Sequence, residues 1–333
     1  MYAGNNCSHG NTTDPMTWQN YVFITINVVL CIFICSGNVL TIIAVLRTPV
    51  LRTVPNMYVT SLAVADFLAG AVIPLQILIF IPSVKYIIND IKYLCLFRHV
   101  TFFVSVSMSV ASMVAIAFDR AVYIGYPLRY KQLATTKRTW MVIVCMWISS
   151  LVIGTMPLYY NNWKPCIECS IFRVLKMEYQ VYIQTSLFVV SCILTACCYG
   201  NILRIARQQQ RQILEQTAPQ CSKPQLAQDL KLVKLFGLVF GVFFICYLPA
   251  IVSVTAGHLG VYVPQMVTNI TVPILVLNSG MNFVVYAVKN KDFRRAFVKM
   301  ICTKKAKLNL VGPTVVATVL NRSDNNVLKN ELR

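Results

Sequence analysis

Charge is scarce in this chain. Of its 333 residues only 12% are charged and 57% are hydrophobic, and mean hydropathy is +0.63. A soluble protein carries roughly a quarter charged residues, so a water-facing surface over most of the chain is excluded. Histidine is scarcer still. His9, His99 and His258 are the only three, and all lie outside the apolar runs or at their outer rim. That excludes the buried histidine metal or nucleophile cluster a membrane enzyme would need. Lys and Arg are missing from the first 46 residues. Without a basic n-region no cleavable signal peptide is expected, and the first apolar run serves as its own insertion signal. The net charge of +19 is dispersed between apolar runs, with no basic domain, so no nucleic-acid partner is expected.

What remains is long apolar sequence. Seven stretches reach the about 20 residues needed to span a bilayer, at 21–45, 57–82, 96–118, 138–158, 180–203, 234–256 and 265–288. The fold class is an all-α membrane protein, a seven-helix bundle. Residues 1–20 form an outer tail, 21–288 the bundle, 289–302 an amphipathic helix on the membrane surface and 303–333 a disordered tail. With the N-terminus outside, 24 of the 30 Lys and Arg fall on the inner side. This is the positive-inside pattern, with attraction to anionic lipid as its consequence. Asn6 and Asn11 begin glycosylation sequons in the outer tail. Of 13 cysteines, Cys7, Cys95, Cys166 and Cys169 face outward, and four oxidisable thiols allow three pairings.

Polar residues inside the spans stand out, because each is costly in hydrocarbon. Span one holds Asn38 and span two a lone carboxylate, Asp66. Span three holds Ser105, Ser107 and Ser109 and ends on Asp119-Arg120. Span four centres on Trp147. Span six carries "FFICYLP" with a kinking Pro249, and span seven carries "LNSGMNFVVY". Ser105 and Ser107 read as hydrogen-bonding glue between helices. Asp66 needs a cation, a proton or several donors.

The ordered set, with Cys95 at the head of span three, resembles the rhodopsin-like (class A) G-protein-coupled receptors over residues 30–302. The resemblance implies a plasma-membrane receptor that switches conformation and promotes nucleotide exchange on a heterotrimeric G protein, with arrestin as a further partner. It implies that Arg120 is held at rest by Asp119 and by Asp229 at the foot of span six. Two carboxylates competing for one guanidinium make a two-state switch. Tyr199 and Tyr286 match tyrosines that reach toward the freed Arg. Asp66, Ser109, Asn278, Ser279 and Asn282 match an allosteric sodium site of hard oxygen donors; no other cofactor is implied.

Within the family, "MVAIAFDRAVYIGYPLRYKQLATTKR" and "VLKMEYQVY" look most like adenosine receptors and their melanocortin, lipid and cannabinoid neighbours. That group's bridging cysteine falls at Cys169, so the resemblance favours Cys95–Cys169 and leaves Cys7 and Cys166 to pair locally. The ligand pocket departs. Where adenosine receptors hold a purine and ribose with polar side chains, this chain has Val254, Phe172, Val106, Leu275 and Val276. Phe102 replaces the Asp of amine receptors, and Val276 the Lys of retinal pigments. The inferred pocket for a small extracellular ligand is Phe102, Phe103, Val106, Phe172, Ile183, Leu187, Tyr247, Val254 and Val276, mostly apolar.

Three switch positions also depart: Ser191 for the span-five Pro, Tyr247 for the span-six Trp, and Phe283 for the span-seven Pro. Losing the last should straighten lower span seven. Beyond it, Phe293 and Phe297 lie four apart between basic residues, an amphipathic helix against membrane lipid, with Cys302 as a palmitoyl site. The competing readings are a lipid-type or constitutively active receptor without a ligand, and a transporter. A transporter should show internal repeats, broken helices or several midplane charges, and only Asp66 qualifies.

Overall fold

The computed structural model describes residues 15–165, 167–215 and 223–308, including side chains except at 206, 209–215, 223–236 and 301–308. Among the described residues, seven helices are long and apolar enough to cross a membrane: Trp18–Arg47, Val54–Phe80, Lys92–Gly125, Thr136–Leu158, Glu178–Ile205, Gly237–His258 and Gln265–Lys289. They match the seven expected spans in order and number, and no strand longer than the single bridge Asn161–Leu175 occurs among the described residues. Cys7, Cys166, Asn6 and Asn11 lie outside the described residues.

Polar side chains stitch the bundle, though not at Ser105 and Ser107, where such bonds are expected; Ser107 lines a cavity instead. Asn38 donates to the carbonyls of Ile34 (2.9 Å) and Ser279 (3.0 Å), joining spans one and seven. Trp147 Nε1 donates to Ser61 Oγ across 3.3 Å, joining spans four and two. Spans three and four meet at Gly154, where a Cβ would stand 2.7 Å from the Val104 backbone nitrogen. Only a residue without a side chain permits that approach, as is usual where membrane helices touch. Ser105, by contrast, donates back to Thr101 O in its own helix.

Two spans are less regular than their apolar runs suggest. Span two breaks after Ala71 into a short helix, Ile73–Ile77, whose second residue is Pro74, and ends in a 3-10 turn at Leu78–Phe80. Proline supplies no N–H and crowds the preceding turn, which accounts for the break. Span five begins with π-helix over Glu178–Thr185 before Ser186–Glu215 runs on as α-helix. The Thr185 hydroxyl donates to Gln180 O, five residues back. Span seven is one helix from Gln265 to Lys289, with Pro273 inside it. Phe283, where the family places proline, fills the gap beside Gly37 of span one, and its ring lies 5.3 Å from that of Phe297.

The surface helix runs Lys291–Leu308, six residues beyond the expected end at 302. Phe293 and Phe297 are both buried, four apart on one face, while Arg294, Arg295 and Lys299 are exposed. The Cys302 side chain is outside those described.

Candidate functional site

Three groups of residues sit along the bundle axis. At the foot of span three, Arg120 is buried and ion-paired with Asp119. Tyr130, on the following short helix Pro127–Leu133, donates its hydroxyl to the other carboxylate oxygen across 2.9 Å. The Arg120 guanidinium also lies 5.5 Å over the Tyr123 ring. Burial, then the Asp119 charge, holds the Tyr130 phenol proton above its usual range, so Tyr130 stays a donor. Tyr130 was not legible from sequence as a site residue; its place depends on the turn at Tyr126 that folds the short helix back. Tyr199 packs against the Ile124–Ile202 cluster, one turn beyond Arg120. Tyr286 is elsewhere: its ring stacks 5.5 Å from Phe293 of the surface helix, and its buried hydroxyl has no partner. The Asp229 side chain is outside those described.

At mid-bundle Asp66 is fully buried. One carboxylate oxygen accepts Ser109 Oγ at 3.0 Å and the other Asn282 Nδ2 at 2.8 Å, so spans two, three and seven converge on it. Ser279 and Asn278 are buried on the same stretch of span seven. Asn278 differs from the rest, since neither atom of its carboxamide has a hydrogen-bond partner. A fully desolvated amide left unpaired costs about 1–3 kcal/mol, and its carbonyl oxygen, like the carboxylate and hydroxyl oxygens of the group, is a hard donor. The group therefore fits a small hard cation.

Toward the disulfide end lies a cavity of about 220 Å³. Seven of the nine expected pocket residues line it: Phe102, Phe103, Val106, Phe172, Leu187, Tyr247 and Val254. Ile183 and Val276 do not, and both pack in the surrounding core. The π turn explains the first. It adds a residue to the turn, so Gln180, Gln184, Leu187 and Ser191 face the cavity in place of Ile183. Val276 lies beyond the wall made by Val272 and Leu275. The lining is also less uniformly apolar than expected, because Ser107, Ser253 and Thr271 join those two glutamines. Polar residues between apolar ones gave no periodic signal.

Below the cavity, aromatic rings run toward Arg120. Tyr247 lies 4.4 Å from Phe243, Phe243 6.1 Å from Phe240, and Phe240 6.1 Å from Tyr199. Tyr247 also stacks on Phe188 of span five. The side chain at the expected tryptophan position thus stays packed between cavity and switch.

Cys95 and Cys169 are joined, Cα to Cα 5.8 Å, tying span three to the segment before span five. His99 is at the outer end of span three as expected, but, against the expectation of no buried histidine, it is buried beside this bridge, 3.7 Å from Cys169 Sγ. Both sulfurs are spent in the disulfide, so the trio Cys95, His99 and Cys169 offers no metal site.

The family model described as "7 transmembrane receptor (rhodopsin family)" matches residues 37–286. The chain is 28% identical to "Adenosine receptor A3" of Ovis aries over 296 residues, covering 86% of this chain and 91% of the relative. It is 26% identical to the A3 receptor of Canis lupus familiaris over 306 residues, 87% and 95% of the two chains. To "Adenosine receptor A2a" of the same animal it is 29% identical over 312 residues, 86% and 73%. These relatives are receptors, not enzymes. With seven spans, the bridge at the head of span three and the Asp-Arg pair at its foot, the chain belongs to the rhodopsin family of seven-transmembrane receptors.

Proposed function

We propose that this protein is a plasma-membrane receptor, N-terminus outside, that passes a conformational change to a heterotrimeric G protein. The observation that carries the reading is the buried Asp119–Arg120 pair at the foot of span three. A guanidinium held by one neighbouring carboxylate can be released by a small displacement, and the aromatic column from Tyr247 to Tyr199 links that displacement to the cavity. Asp229 supplies the second carboxylate, Tyr286 leaves Phe293 to meet the freed Arg120, and arrestin reads the same opened face. Mutating Arg120→Ala should reduce nucleotide exchange at least tenfold at unchanged surface level. Exchange at the wild-type rate would sink the reading.

Asp66, Ser109, Asn278, Ser279 and Asn282 would hold a sodium ion, which supplies the positive charge the buried carboxylate lacks. These side chains tie spans two, three and seven together and so favour one packing of the bundle. Asn6 and Asn11 carry glycans, Cys302 carries a palmitoyl chain, and the surface helix rests on inner-leaflet lipid. The relatives are named for adenosine, but the matching positions here are Val254, Phe172, Val106, Leu275 and Val276. A site without the hydrogen-bonding groups a polar purine needs loses the basis for selecting it. The ligand is of another class.

A further inference from the structure

Span three carries a second buried arginine. Arg98 lies 22 residues before Arg120, is only 6% exposed, and lines a further cavity of about 230 Å³ at the disulfide end. Its partners are all neutral. Nη1 donates to Gln76 Oε1 (3.1 Å), and Nη2 donates to Cys169 O (2.7 Å) and lies 3.3 Å from His99 Nε2. No carboxylate of a described residue stands within ion-pair distance of it. The acid on the cavity wall, Glu168, is paired at 2.7 Å with Lys85, and both are substantially exposed. Of the five guanidinium N–H groups, three are used; Nε–H is buried without a partner, and one N–H of Nη1 has none assigned to it. An arginine kept out of water needs a counter-charge as well as carbonyl acceptors.

The two cavities adjoin. Phe102, Phe172, Thr268 and Val272 line both, so one molecule reaching past Phe102 enters each. The first offers Arg98 among the amides of Gln76, Asn27 and Asn89; the second offers Phe103, Val106, Leu187 and Val254. One end is cationic and hydrogen-bonding, the other chiefly hydrocarbon.

Resting on the ligand cavity proposed above, we infer that the ligand is an amphiphilic anion. Its carboxylate or phosphate head pairs with Arg98, and its apolar tail passes Phe102 into the deeper cavity. A bidentate oxyanion matches the guanidinium fork and supplies the missing charge. The tail gains by leaving water for the aromatic and aliphatic walls.

The test uses the whole receptor in nanodiscs of phosphatidylcholine, followed by thermal unfolding without G protein. The probes are octanoate, octyl phosphate, octanol, acetate and inorganic phosphate at equal concentration. Octanoate or octyl phosphate should raise the midpoint, and whichever is stronger names the head. Octanol, acetate and inorganic phosphate should not. Arg98→Met should weaken the anion at least tenfold, while Arg98→Lys keeps part of the response. Val106→Trp, which fills the deeper cavity, should weaken the octyl anions and so decides the matter if Arg98→Met fails to fold. The proposal is overturned if octanol stabilises as well as the anions, if neither anion stabilises, or if folded Arg98→Met binds them like wild type. Because binding is read without G protein, a negative result leaves the Arg120 switch standing, and a dead switch leaves this result standing.

Discussion

Arg98 and Arg120 share one helix, roughly 33 Å apart at about 1.5 Å per residue, close to the thickness of the hydrocarbon layer. Both are buried to the same degree. They differ in what surrounds them. Arg120 is met by a carboxylate that is in turn held by Tyr130, a closed arrangement with its charge balanced inside the protein. Arg98 is met by carbonyls and an imidazole beside open space. Burial alone therefore does not distinguish a switch from a binding group; the counter-charge does. A balanced pair stores a conformational choice, whereas an unbalanced cation beside a cavity stores affinity for something not yet bound.

The sharpest way to break this contrast is to unbalance Arg120. Asp119→Ala leaves a buried guanidinium without its adjacent carboxylate, a change that costs about 3–5 kcal/mol when one partner of a buried pair is removed. The thermal midpoint should fall and basal nucleotide exchange should rise. A mutant that melts with wild type would show that Arg120, like Arg98, does not depend on its neighbour.

Asp66 is the mirror case, a buried anion with neutral donors only. If it holds sodium, replacing choline chloride by sodium chloride at tenfold the dissociation constant should stabilise the receptor by about 1.4 kcal/mol. Asp66→Asn should abolish that difference. An equal response in the mutant would remove the ion from this site.

The smallest effect is expected at Tyr130. Tyr130→Phe deletes one hydrogen bond to Asp119, worth about 1 kcal/mol, and should raise basal exchange about fivefold. Since the folded protein raises the phenol pKa, the bond is fully present below the unfolded value of about 10 and is lost only above it. The difference between mutant and wild type should therefore stay flat between about pH 6 and about pH 9. A slope in that window would mean that another group holds Asp119.

Much of the fold was legible because the bilayer constrains it so tightly. Seven apolar runs of sufficient length, with basic residues between them, admit few arrangements, and a lone Asp66 or an Asp-Arg pair announces itself against hydrocarbon. The places where the reading slipped are local. Ile183 is expected in the pocket that the resemblance implies, but a π turn gives its place to Gln180 and Gln184. His99, expected at the outer rim, stands there but is buried under the disulfide. The surface helix, expected to end at 302, continues to Leu308, because residues past Cys302 are good helix formers without an apolar period.

The sequence by itself determined the number of spans, their order and which residues carry charge into the bundle, since hydropathy and charge are properties of each residue alone. Tertiary structure decided whether each buried charge is answered. Asp119 answers Arg120 from the next position in the chain, so that pairing could be read directly. That Gln76, His99 and the Cys169 carbonyl surround Arg98, with no carboxylate among them, depends on where span two and the disulfide-linked segment come to rest. Contacts between residues 71 apart in sequence are set by packing, which no local pattern encodes.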